Sequence, residues 1–237
     1  MILYKDIYRR AINLLDDPDI SRAYVENTVK FEKMMYPYLE NGLAYFTDPT
    51  AIAWLLTDRT SPSGQMEVFE YKEVSDNSVI LGMTPSEDSD FVCMINGKID
   101  NGASVSQNGE GQWVATFSQP IEEESEVSVE WYSAGQFNTD FSTAATPLVS
   151  SAVISQRVLE ILSRATVLAW AEQNKNFILE IRNILTDTDF KLYAEANNTN
   201  SKINWVDKMR REIATIQNKL CWNLYSVSRR AGGYYGA

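Results

Sequence analysis

The chain has 237 residues, 44% of them hydrophobic and 11% aromatic, enough for packed cores in one large domain or two small ones. It carries 32 Asp+Glu against 21 Lys+Arg, two cysteines and no histidine. The missing histidine excludes every triad or metal centre that needs an imidazole; only carboxylate, lysine or thiol chemistry stays open, and the composition points to binding or assembly without enzyme activity or cofactor.

The opening ten residues mix charged and apolar side chains, so they lack the continuous apolar run of a secretory signal and no export is expected. Leu3, Ile7, Ala11, Leu14 and Leu15 fall at helical spacing, which predicts a short amphipathic helix stopped by Asp16, Asp17 and Pro18. A second helix is expected over 18–36, with Ile20, Ala23, Tyr24, Phe31, Met34 and Met35 inward. Pro18 suits its first turn, and Pro37 ends or kinks it. Asn41-Gly42 reads as a turn. A third short helix follows over 51–56, with Thr47 or Asp48 as cap and Pro49 in the first turn.

The cluster of turn formers at 60–64 marks a boundary where helical periodicity stops. Segments 66–72, 79–81, 91–95, 112–117 and 126–132 are short and rich in β-branched and aromatic residues, and read as strands. Three Asn-Gly pairs, at 96–97, 101–102 and 108–109, supply the positive φ values that tight hairpins demand. In 126–131 the alternation places Val127, Val129 and Trp131 on one face. Pro147 ends this region. Residues 149–170 are apolar on more than one face, which predicts a central helix with a break near Asn174. A polar loop is expected at 197–201. The last helix then carries Ile203, Val206, Met209, Ile213, Ile216, Leu220, Leu224 and Val227 at threes and fours.

Charge follows the same boundaries. Residues 61–146 hold 15 acidic and 2 basic side chains, a net −13, whereas the rest holds 17 and 19. The expected fold is therefore α+β: an α-helical bundle (1–60 and 147–228) interrupted by a small acidic antiparallel β-sandwich or barrel (61–146), with a flexible arm at 229–237. Cys93 and Cys221 fall in different parts of it, so two reduced thiols are expected and no disulfide. No apolar run approaches the roughly 20 residues of a bilayer span. No repeat, P-loop, dinucleotide fingerprint or metal-ligand spacing is present.

Four groups of residues could carry function. The acidic stretches 86–90 and 122–124 offer oxygen ligands to Ca²⁺, or are solvated loops. Trp113, Trp131 and Tyr132 form either an aromatic platform for a sugar ring, which would make this region a glycan- or protein-binding module, or the core of the sandwich. Lys208, Arg210, Arg211 and Lys219 give the last helix a basic side suited to phosphates or to an acidic neighbouring subunit. The acidity of the whole chain favours the subunit. Arg229, Arg230, Tyr234 and Tyr235 are of the types favoured as interface anchors.

The N-terminal run YKDIYRRAINLLDDP (4–18), the helices interrupted by β-structure, and a long final helix ending in an Arg/Gly/Tyr tail together resemble a tailed-phage head-to-tail connector, the adaptor or neck ring protein beneath the portal. The resemblance implies a non-enzymatic virion protein of the neck, assembled in the host cytoplasm as a ring, usually dodecameric. It also implies a C-terminal extension docking on the portal, contact with the next tail component, and a channel through which DNA passes without specific binding. On that reading 229–237 is the docking arm and the helix cations are a subunit interface.

Overall fold

The computed structural model describes residues 1–15, 18–70, 73–74, 77–82, 85–86, 88–122, 124–146, 149–184 and 191–231, with the backbone alone at 18–20, 174–184, 191–203 and 225–231. Among these residues the chain is mixed α/β, with six α-helices and three small antiparallel sheets. Each sheet keeps two open edges, so none closes into a barrel. The chain forms two compact units. The first comprises Met1–Asp17, Met34–Thr60 and Gln136–Ala237, and the second Pro18–Lys33 and Ser61–Gly135.

In the first unit, strands β1 (Ile2–Leu3), β2 (Arg59–Thr60) and β10 (Gln136–Phe137) pair antiparallel in the order β1-β10-β2. Helix α1 (Tyr4–Leu15) buries Tyr4, Ile7, Tyr8, Ala11 and Ile12. The inward stripe thus keeps Ile7 and Ala11 from the expected set and adds Tyr4, Tyr8 and Ile12, while Leu3 lies in a strand instead of the helix. The Tyr4 ring packs on Phe137, with centroids 4.8 Å apart. Helix α5 (Ser151–Ile184) is the centre of this unit: Ile154, Val158, Ile161, Leu162, Ala165, Val167 and Leu168 are all fully buried. Burial on several faces is what its all-round apolar sequence requires. Each such leucine or isoleucine contributes about 1.5–3 kcal/mol.

Helix α6 (Lys191–Ala231) buries Val206, Met209, Ile213, Ile216 and Leu220, five of the eight positions of the expected stripe. Leu224 is half-buried, while the side chains of Ile203 and Val227 lie outside the described residues. The expected break near Asn174 and the loop at 197–201 are both helical. Asn, Ser and Thr disfavour helix by only a few tenths of a kcal/mol each, which does not stop a long helix held by packing further along.

The N-terminal helices differ from expectation in three places. One helix over 18–36 is instead two, α2 (Pro18–Glu26) and α3 (Thr28–Leu43), separated at Asn27, whose Oδ1 accepts the Lys30 amide at 2.8 Å and so caps α3. Pro37 sits inside α3, and Asn41-Gly42 continues it. Burial of Met35 and Leu39 outweighs the proline's cost of about 3 kcal/mol. Helix α4 (Thr50–Leu55) begins after Pro49 with no side-chain cap from Thr47 or Asp48.

The second unit holds two sheets. Strands β3 (Ser63–Phe69), β5 (Asp90–Ile95), β6 (Lys98–Ile99) and β9 (Val127–Ser133) take the order β3-β9-β5-β6, and β4 (Ser78–Ile80), β7 (Ser104–Gln107) and β8 (Trp113–Thr116) the order β4-β8-β7. Their shared core is Val79, Leu81, Cys93, Ala115, Phe117, Ile121, Val127 and Val129. Asn96 and Gly97, at φ 51° and 71°, make the two-residue β5–β6 turn that the Asn-Gly signal specifies.

The unit's limits differ from 61–146 at the C-terminal end, which lies at Gly135, and it also includes 18–33. The physical reason is visible on β9, which is buried on both faces, including Ser128 and Tyr132 opposite the core side. Lys33 reaches that outer face, pairing with Glu130 and lying 5.4 Å from the Tyr132 ring centre. A sheet covered on its outer face by helical sequence recruits that sequence into its own unit. Counted over these limits, the first unit has 16 Lys+Arg and 15 Asp+Glu, net +1, and the second 5 and 17, net −12.

Candidate functional site

Helices α5 and α6 run antiparallel, with Glu172 facing Arg210 and, further along, Arg164 facing Glu212 at 3.3 Å. Because α6 buries 206, 209, 213, 216 and 220, the positions two or three residues on, Lys208, Arg211, Thr215 and Lys219, share a neighbouring stripe along its flank. On α5 the facing charged stripe is Arg157, which is exposed, and the half-buried Glu160 and Arg164. The two stripes border an open groove of about 340 Å³.

Five cations and two carboxylates line it. Glu160 accepts Arg157 at 3.0 Å and Arg164 at 3.1 Å; Glu212 accepts Arg164 at 3.3 Å and Lys208 at 3.9 Å. Arg164 therefore staples the two helices at the floor of the groove. Arg211 and Lys219 are exposed and form no ion pair among the described residues. The groove consequently presents net positive charge to solvent. Trp222, one turn beyond Lys219, is 75% exposed, and Val153, one turn before Arg157, is 43% exposed.

Of the four helix cations expected at a subunit interface, the structure brings Lys208, Arg211 and Lys219 together in this groove and places Arg210 elsewhere. Arg210 binds Glu172, its Nε at 3.1 Å, and Asp207 at 3.7 Å. Glu172 also accepts the Tyr45 hydroxyl, and it holds the Arg210 guanidinium above its usual range. Burial, and then Glu172, push the Tyr45 phenol up to about 12. Gln217 completes the internal junction, donating to the Tyr45 carbonyl at 2.7 Å and accepting the Asp48 amide at 3.0 Å. Sequence reasoning missed Arg157, Arg164 and Trp222. Their signal was present in the seven-residue spacing of 157 and 164, but nothing in the sequence pairs that stripe with α6.

The helix continues through Arg229 and Arg230, further than the expected 228, although their side chains lie outside the described residues, as do Tyr234 and Tyr235 entirely. The three aromatics are not brought onto one face. Trp113 is half-buried against the second unit's core with its ring 5.4 Å from that of Phe91, while Trp131 and Tyr132, adjacent in β9, project to opposite sides of their sheet. Each of the two indole N–H groups is buried. Among the described residues no three carboxylates or thiols converge as they would around a metal ion. Cys93 is a buried thiol pushed up to about 11 by burial and by Asp100, and burial raises that of Cys221, so neither has thiolate character at neutral pH. No helix among the described residues is long and apolar enough to cross a membrane.

The groove is equipped to hold an anionic surface by charge-assisted contacts. No protein-family description, curated protein or solved structure matches the chain.

Proposed function

We propose that this chain is a non-enzymatic structural component of a tailed-phage virion neck: a helical bundle carrying an inserted acidic β-sandwich, assembled as a dodecameric ring between portal and tail. The observation that carries the reading is the separation of charge between a near-neutral helical unit with an exposed basic groove and a unit of net −12. A ring subunit must offer two different, complementary surfaces to its two neighbours, and such a division supplies them. An acidic surface along a channel also keeps passing DNA from adhering. Residues 229–237 serve as the arm that docks on the portal, consistent with the resemblance of the chain's organisation to connector proteins.

Size fractionation of material from the native source, with the 26.9 kDa chain located by mass spectrometry and large particles viewed by electron microscopy, tests the proposal. The expected result is the chain in particles with a ring at one vertex. Recovery only as a small free species would overturn it. Within assembled particles, removal of 229–237 is expected to abolish portal attachment without changing the thermal transition, and unaltered attachment would overturn the arm's role.

A further inference from the structure

We propose that the α5–α6 groove receives the acidic turn bearing Glu122, Glu124 and Glu126 of a second copy of this chain, in a head-to-tail contact where each copy offers one groove and one turn. The proposal rests on the reading of the chain as a self-assembling component and is independent of where the assembly resides.

The turn is built for presentation. Glu122, Glu124 and Glu126 are exposed and form no ion pair among the described residues, whereas Asp88 in the other acidic stretch already accepts the Ser133 hydroxyl. Its backbone is fixed at both ends: Ile121 is buried in the core, and Asn96 and Glu126 exchange two hydrogen bonds, one into the Asn96 side chain at 2.9 Å and one into the Glu126 carbonyl at 2.8 Å. The Ser125 amide bonds the Glu122 carbonyl at 2.9 Å inside the turn. A backbone pinned in this way adds little ordering cost of its own on docking, which leaves the glutamate rotamers as the main entropy lost.

The groove matches in charge. Arg211 and Lys219, two helical turns and about 12 Å apart along α6, offer two cations without ion pairs among the described residues to the carboxylates of the turn. Arg157 faces the same opening from α5, and the exposed Trp222 beside Lys219 supplies the aromatic anchor that interfaces favour. DNA is the less favoured occupant, because a chain of net −11 repels it at long range.

The test uses sedimentation velocity of the full-length chain at about 0.05 M and about 0.5 M salt. Two variants are compared, one carrying Arg211→Glu and Lys219→Glu, the other Glu122→Lys and Glu126→Lys. Wild type is expected to associate at low salt and to weaken at high salt. Each variant alone should lose association by about tenfold or more, and an equimolar mixture should recover it, since reversed groove then meets reversed turn and native groove meets native turn. All four positions are exposed, so circular dichroism should show unchanged folds; recovery on mixing is in any case available only to folded chains. A mixture that stays dissociated, variants that associate like wild type, or a groove variant whose only loss is binding to a duplex DNA probe would overturn the contact. Rings that persist in both variants would overturn it while leaving the neck reading intact. A wild-type chain that stays monomeric at low salt and is absent from large particles would overturn both.

Discussion

Replacing Gly42 with alanine opposes helix propensity to packing, and the structure decides which wins. Gly42 lies in α3 with an ordinary negative φ, so alanine adds no backbone strain and gains up to about 1 kcal/mol of propensity. A Cβ there would sit 2.9 Å from the Ala165 carbonyl carbon, 2.9 Å from the Thr166 nitrogen and 3.0 Å from the Ala165 oxygen. Carbon contacts are comfortable near 3.5–4.0 Å, so α3 and α5 must part by roughly 0.6 Å or more. All three atoms are backbone of a helix whose residues 165 and 166 are fully buried, so no flexible side chain can yield. Overpacking of this kind costs about 1–3 kcal/mol. The net expectation for Gly42→Ala is destabilisation by about 1 kcal/mol, or about 2–4 °C in the transition followed by far-UV circular dichroism. Valine at the same position should cost more than alanine. Gly109→Ala is the control, because nothing lies within 4 Å of its added Cβ, and its effect should stay within about 0.5 kcal/mol. A Gly42→Ala protein melting at or above wild type would refute the close approach as the reason for this glycine.

Two further outcomes follow from hydrogen-bonded ionisable groups. Burial works against the Asp100 carboxylate, but bonds from the Ser118 amide at 2.7 Å, the Ser118 hydroxyl and the Gly102 amide at 3.0 Å outweigh it and hold its carboxyl below the usual range. A depressed value means stability that is present above about pH 4 and lost as pH falls through the folded value, so Asp100→Asn should cost about 1–3 kcal/mol at neutral pH and flatten the acid limb of urea stability. An unchanged acid limb would show that this carboxylate does not drive it. The raised phenol of Tyr45 has the opposite sign: its contribution is complete below about pH 10 and lost as pH rises toward 12. Glu172→Gln should lower that phenol toward 10, read as earlier phenolate absorbance once a Tyr45→Phe background is subtracted; an unshifted curve would show that burial alone sets it.

Local chemistry is more legible in this sequence than long-range pairing. The β5–β6 hairpin was legible because Asn96-Gly97 fixes its own φ values, and the apolar spacing of α6 because five of its positions meet one buried surface. Asn41-Gly42 failed as a turn because glycine answers two different needs, positive φ and close approach, and here the backbone of α5 imposes the second. Pro37 failed as a stop because its cost is borne by the burial of Met35 and Leu39, whose partners lie elsewhere in the chain. The recruitment of 18–33 into the second unit was invisible for a related reason. Glu126 to Trp131 alternates as a half-buried strand would, yet β9 is covered on both faces, and only the fold brings Lys33 to Glu130.

The groove was half legible by the same logic. One flank, Lys208, Arg211 and Lys219, is a periodicity within α6; the other, Arg157 and Arg164, becomes part of the site only when two helices meet. Arg210 is one residue from Arg211 and about 100° away around the helix, which turns it to Glu172 and away from the groove while leaving it exposed. Charge then restricts what the groove can serve. Two copies joined by a two-fold axis through their second units would oppose surfaces of net −12 each, whereas the basic groove of the first unit gives those carboxylates a partner of opposite sign. A symmetric dimer through the acidic unit is therefore disfavoured, and the proposed heterologous contact, which must either close into a ring or propagate, is the one that accords with this charge distribution.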